Sequence, residues 1–145
     1  MYLDDLEEGF TFETESRTLD EAEIVDFARQ WDPQPFHLDA EAAAASPYGG
    51  IIASGFHTML VAFRLTLEAG IWNKASMGSP GMDDIRWLVP VRPDDTLRAT
   101  GRVVSRRFSG SRPDRGRAVI AYEVLNQEDA VVMTYTATHI LRRRP

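Results

Sequence analysis

The stretch DPQPFHLDAEAAAASPYGGIIASGFHT, Asp32 to Thr58, packs an acid, a histidine, two prolines and a glycine-rich turn into the segment between two expected helices. Connecting loops in compact proteins are short and need only polar residues with a Gly or Pro. This one instead sets two titratable groups, Asp32 and His37, at a fixed offset. Fully extended, the five steps between them reach roughly 17 Å, whereas two groups that share one water lie within about 6 Å. Pro33 and Pro35 fix their own φ angles and restrict Asp32 and Gln34, which predicts a compact, stiff turn aiming both side chains at one point. The chemical reading is an acid–base pair. The plainer alternative is an Asx turn at Asp32 beside a packed histidine.

Outward from this stretch, Thr18 and Glu21 have the spacing of a capping box, so a helix is expected to start there. Ile24, Phe27, Ala28 and Trp31 give it one apolar face, and Asp32-Pro33 closes it because proline disfavours helical geometry in its predecessor. A short second helix through AEAAAA, residues 40–45, is expected with Asp39 as cap and with Pro47 and Gly49-Gly50 ending it. A third runs from about Gly55 to Ala69, with Gly70 as its stop. Apolar residues occupy most of its circumference and only Arg64 and Glu68 are charged, which predicts a helix nearly surrounded by protein.

The remainder alternates as strands do. FTFET (10–14) reads as a short strand; Ile85, Trp87 and Val89 alternate before Pro90, followed by Leu97, Ala99, Gly101 and Val103, then Ala118, Ile120, Tyr122 and Val124. A polar NQED turn (126–129) leads into VVMTYTATHIL (131–141). One helix against one antiparallel sheet, an α+β arrangement with the sheet curled round the helix, is the simplest fold, and 145 residues suit one domain, 1–145.

The first 41 residues carry a net charge of −11 and the rest +5, so an anionic ligand is expected to favour the second portion. The pI near 5.0 argues against general nucleic-acid binding. With no cysteine, disulfides, thiolate metal sites and a thiol nucleophile are excluded. His57 and His139 have no metal-ligand spacing with His37 or each other and read as structural, so no metal site is expected. The acidic N-terminus is unlike a signal peptide and the most apolar run, FHTMLVAFRLTL, is too short to span a bilayer, so a cytoplasmic protein off the membrane is expected.

Gly50 to Gly55 leads into the third helix. The first amides of a helix lack acceptors, so a glycine there lets a carbonyl oxygen approach the Gly55 N–H, a donor worth on the order of 3 kcal/mol to a developing oxyanion. The same letters also fit Ser54 as a mere N-cap with Gly55 packed tightly.

From Trp31 through Met59 the sequence resembles the motif of the MaoC-like dehydratases, or (R)-specific enoyl-CoA hydratases, a hot-dog-fold family. Their pattern is roughly G-D-x-N-P-[LIV]-H, followed by G-I-x-x-G where a helix begins. GMDDIRWLVPVRPDDTL, residues 81–97, resembles the family's R-x-x-x-P-V-x-P-G-D-x-L. The resemblance implies a hot-dog fold, with Asp32 and His37 as the catalytic pair, Ser54 and Gly55 at the oxyanion contact, and Gln34 beside the acyl pocket. It departs at Trp31 (glycine in the pattern), Gln34 (asparagine) and Asp94 (glycine). The implied activity is (R)-specific hydration of a 2-enoyl-CoA, or the reverse dehydration, with coenzyme A as part of the substrate, no separate cofactor, and a homodimer or higher homo-oligomer as the assembly. Arg86, Arg92, the stretch Arg106 to Arg117, read as a hairpin loop, and Arg142 to Arg144 are candidates for the CoA phosphates, with a solvated surface as the plainer reading. Two rival readings are a thioesterase, disfavoured by the lack of an acid early in the third helix, and a hot-dog subunit that binds an acyl thioester or supports a partner without catalysis.

Overall fold

The computed structural model describes residues 1–145. In chain order it contains β1 (Thr11–Glu13), β2 (Arg17–Thr18), α1 (Glu21–Trp31), α2 (Pro35–Leu38), α3 (Ala40–Ala44), α4 (Gly55–Ala69), β3 (Gly81–Trp87), β4 (Thr96–Phe108), β5 (Arg115–Leu125) and β6 (Val131–Arg142). The strands pair antiparallel in the order β1-β4-β5-β6-β3, with β2 also against β4. The sheet wraps α4 in the hot-dog arrangement.

Alternation explains which face turns inward. Leu97, Ala99 and Val103 of β4, Ala118, Ile120, Tyr122 and Val124 of β5, and Tyr135, Ala137, His139 and Leu141 of β6 are buried together with Val61, Ala62 and Leu65 of α4. Gly70, at φ +71°, ends α4 in the left-handed region that glycine adopts without strain. No helix is long and apolar enough to cross a membrane.

Several local expectations are corrected. Asp20, not Thr18, caps α1, accepting from the Glu23 N–H at 2.8 Å, while the Thr18 hydroxyl pairs with that of Thr96. Trp31 is exposed, not part of the buried face of α1. The turn after Asp32 contains one helical turn, α2, begun by Pro35, whose missing N–H costs nothing at that position. β3 has no buried face, since Met82 and Trp87 are exposed and only Ile85 is partly covered, and Val89 beyond it is exposed as well. α4 is not surrounded: Phe56, Leu60 and Phe63 are 59%, 52% and 46% exposed. The arginine-rich hairpin is shorter than expected, its loop only residues 109–114. Asp94 holds φ +69° at the turn where the family pattern has glycine.

The charge asymmetry has a structural outlet. Arg143 pairs with Asp4 and Arg144 with Asp5, while Arg106 donates to the carbonyl oxygens of Leu3 and Asp4. Arginines that follow β6, with Arg106 of β4, thereby anchor the acidic N-terminus, and the backbone N–H of Arg144, with the Arg143 side chain, lowers the Asp4 pKa. Replacing Asp20 by alanine is expected to cost about 1 kcal/mol in urea unfolding, more than Thr18→Ala costs. The opposite ranking would refute the cap assigned to Asp20.

Candidate active site

Asp32 ends α1 and His37 lies in α2, so the two prolines between them set the geometry of the pair. His37 Nε2 is 3.2 Å from Asp32 Oδ2, and its side chain is almost fully buried. At 2.7 Å, His37 Nδ1 faces the Ile52 carbonyl oxygen, which can only accept, so Nδ1 carries the donated proton. In the neutral ring, Nε2 then presents a lone pair to a carboxylate oxygen. Two acceptors this close repel unless a proton lies between them or a hydrogen donor satisfies both. A water donating one hydrogen to each, with its own lone pairs turned outward, meets that requirement.

Gln34 Nε2 donates to Asp32 Oδ1 at 2.6 Å, so the residue that departs from the family pattern steadies the carboxylate. Burial pushes the Asp32 pKa up, but Gln34, the neighbouring Ser54 and His37 together outweigh it and leave the carboxyl below its ordinary value. Ser54 lies near enough to contribute, yet its hydroxyl is enclosed and forms no hydrogen bond of normal geometry. It stands at the N-cap position of α4 without capping the helix through its side chain, and it does not line the cavity.

A cavity of about 410 Å³ opens beside the pair, lined by Asp32, Gln34, His37 and Gly55 and by apolar residues including Phe36, Phe56 and Val132. The Gly55 N–H has no acceptor within the chain, as expected for the first amide of a helix. Asp32, His37, Gln34 and Gly55 are thus brought to one space, while Ser54 supports from behind.

Trp87, which the spacing of residues did not single out, also lines this cavity. Its indole N–H donates to the Gly55 carbonyl at 2.9 Å, and a Cβ on Gly55 would lie 2.5 Å from the ring. Glycine is required here because a tryptophan rests on it. A glycine at a helix start signals some close neighbour, but nothing in the sequence names which.

His57 and His139 lie apart from the pair. His57 stacks on Phe27 with ring centroids 4.5 Å apart, and burial lowers its pKa against the opposing pull of Glu23. His139 packs on Trp72 and bonds Tyr122. Of the candidate arginines, Arg106, Arg143 and Arg144 hold the N-terminus. Arg92, which bonds the Tyr48 carbonyl, and Arg86 flank the cavity-lining residues Val91 and Trp87.

The sequence matches the MaoC like domain over residues 6–125, and the chain belongs to that family. A MaoC-like dehydratase from Rhodospirillum rubrum superposes with a TM-score of 0.94 over 100% of this chain and 99% of that one, at 38% identity. The uncharacterized protein YdeM of Bacillus subtilis is 29% identical over 143 residues, covering 99% of this chain and 100% of the relative. An (R)-hydratase from A. caviae, involved in PHA biosynthesis, is 26% identical with a TM-score of 0.70, covering 93% and 96% of the two chains.

The depressed Asp32 pKa fixes the sign of a pH effect. The ionised carboxylate stabilises the folded state fully above its unfolded value of 3.8, and that contribution is lost as the pH falls through the lower folded value. In urea titrations the stability gap between the wild type and Asp32→Asn is expected to be flat from pH 7 to about 5 and to close below about 4. A gap that widens on acidification contradicts the assignment.

Proposed function

We propose that this protein is a hydratase or dehydratase that adds water to a 2-enoyl-CoA, or removes it from the 3-hydroxyacyl-CoA, with (R) stereochemistry. The observation that carries the reading is the 3.2 Å approach of Asp32 Oδ2 and His37 Nε2 on a cavity that also reaches Gly55. Water held by both acceptors turns its lone pairs toward the cavity. As its oxygen bonds to Cβ, one O–H bond breaks and the proton passes to the pair. The π electrons move to Cα and the thioester oxygen, where the Gly55 N–H stabilises the enolate. The pair then returns one proton to Cα, which completes the addition.

Coenzyme A enters as part of the substrate, with Arg86 and Arg92, the neighbours in sequence of the cavity-lining Trp87 and Val91, as the candidates for its phosphates, and no separate cofactor takes part. A thioesterase is disfavoured because Glu68, the one acid on α4, is exposed, paired with Arg64 and outside the cavity. Asp32→Asn and His37→Ala are each expected to slow hydration at least 100-fold, followed by the falling absorbance of the conjugated thioester. Near-normal rates in either variant refute the catalytic assignment. Constant absorbance with the wild type, despite binding, points to a subunit that holds the thioester without reacting it.

The reading includes a cytoplasmic homodimer. Phe56, Leu60 and Phe63 form one exposed stripe of α4, and Met82 and Trp87 are exposed on the edge strand β3 beside it. An apolar stripe next to an unpaired strand edge is a surface that a second copy covers. By sedimentation, the wild type is expected to run as a dimer or larger and Phe63→Arg to shift toward monomer; a monomeric wild type rules the assembly out.

A further inference from the structure

A groove of about 890 Å³ runs over the outer face of the sheet at the β4–β5 hairpin. Val119, Thr138 and Ile140, which line it, alternate with the buried Ala118, Ile120, Ala137, His139 and Leu141. The active-site cavity lies on the α4 side, so the sheet stands between the two. Arg106, Arg107, Arg112, Arg115 and Arg117 line the groove against one acid, Glu8, a local charge of +4 in a chain whose net charge is −6.

The fold neutralises little of this charge. Arg115 pairs with Asp114, and Arg106 donates to the carbonyl oxygens of Leu3 and Asp4. Arg107, Arg112 and Arg117 pair with no carboxylate, and Glu8 forms no ion pair. Arg107 moreover stands directly opposite Arg117 on β4 and β5. Like charges at opposed positions of an antiparallel pair are destabilising. Arg115 lies two residues from Arg117 on the same face, roughly 7 Å along the strand. Cations are thus held together that the chain does not compensate, and a bound anion removes that cost.

Size and chemistry narrow the anion. The volume is that of a site for one small molecule, so the negative charge must be dense. Guanidinium forks grip phosphate oxygens through two hydrogen bonds each, and the Ser105, Ser111 and Thr138 hydroxyls add donors. Phe108, the one aromatic side chain of the lining, already carries the guanidinium groups of Arg143 and Arg106 over its ring, at 4.2 and 5.2 Å from the centroid. Its ring is engaged by cations before any base arrives.

We propose that this groove binds an anion of linked phosphates, held through its phosphates and not through a base, at a site separate from the coenzyme A of the substrate. The binding stands on the groove alone; only the separateness draws on the proposed hydratase reading. By isothermal titration calorimetry at low salt, tripolyphosphate is expected to bind the wild type, and Arg107→Gln, Arg112→Gln and Arg117→Gln each to weaken it about tenfold. Without ligand, Arg117→Gln is expected to melt about 2 °C above the wild type, because it removes an opposed like charge. It is also expected to lose the rise in melting temperature that tripolyphosphate gives the wild type. An Arg117 that serves only the fold melts lower when replaced, which overturns the proposal. ATP is expected to bind within about threefold of tripolyphosphate, and citrate at least about tenfold more weakly.

No binding of tripolyphosphate, as when an acidic surface of a second copy fills the groove, overturns the inference. Citrate binding as tightly overturns the phosphate class, and ATP binding more than about tenfold tighter overturns recognition through phosphates alone. In the kinetic arm, a KM for a 2-enoyl-CoA that tripolyphosphate raises in the wild type but not in Arg117→Gln gives these arginines to the substrate and overturns the separate site. Tripolyphosphate binding with no hydration of any enoyl-CoA refutes the proposed reaction while the ligand class of the groove stands.

Discussion

A buried hydrogen bond from His37 Nδ1 to the Ile52 carbonyl oxygen helps fasten the turn after α1 to the segment that enters α4. Around it, the Ile52 N–H donates to Phe36 O at 3.2 Å, and the Ala53 N–H donates to Val91 O at 2.8 Å, so three chain segments meet within two residues. Loss of the imidazole would orphan a buried carbonyl and free the turn from the start of the helix. The same bond fixes which ring nitrogen carries hydrogen. It therefore sets both where the imidazole stands and what its other nitrogen is able to accept.

The stiffness of this junction explains the prolines. Pro33 and Pro35 remove backbone freedom on either side of Gln34, and Gln34 spends its side-chain amide on Asp32. At this position, where the family pattern has asparagine, the longer carboxamide of Gln34 reaches the carboxylate while lining the cavity. Trp31, the other departure beside the pair, is exposed and contributes nothing to the lining of the cavity.

Much of this was legible in the residues because it depends on local rules. Gly55 to Ala69 with Gly70 as stop, the closing of α1 at Asp32-Pro33, and the alternation through β4 to β6 all follow from short-range geometry. Asp32 and His37 were found by their spacing and by the family resemblance. What escaped depends on partners distant in sequence. Apolar residues around α4 suggested burial on all sides, but pattern alone does not tell a side facing the core from one facing outside the fold. Trp87 shares the alternation of Ile85, yet β3 is an edge strand whose register shifts between Asp83 and Arg86, so alternation there did not predict a buried side. The cap of α1 moved from Thr18 to Asp20 because β2 claims Thr18 for pairing with Thr96.

The two margins of the sheet are unlike. One ends in strands of three and two residues, β1 and β2, too short to template another ribbon. The other is β3, which bears Asp83 and Asp84, with Asp84 at φ +52°. This margin offers length, and its kink and paired negative charges limit how it is extended. Stacking of copies end on end into fibres is thereby obstructed at both sides, so whatever joins at β3 closes the array instead of lengthening it.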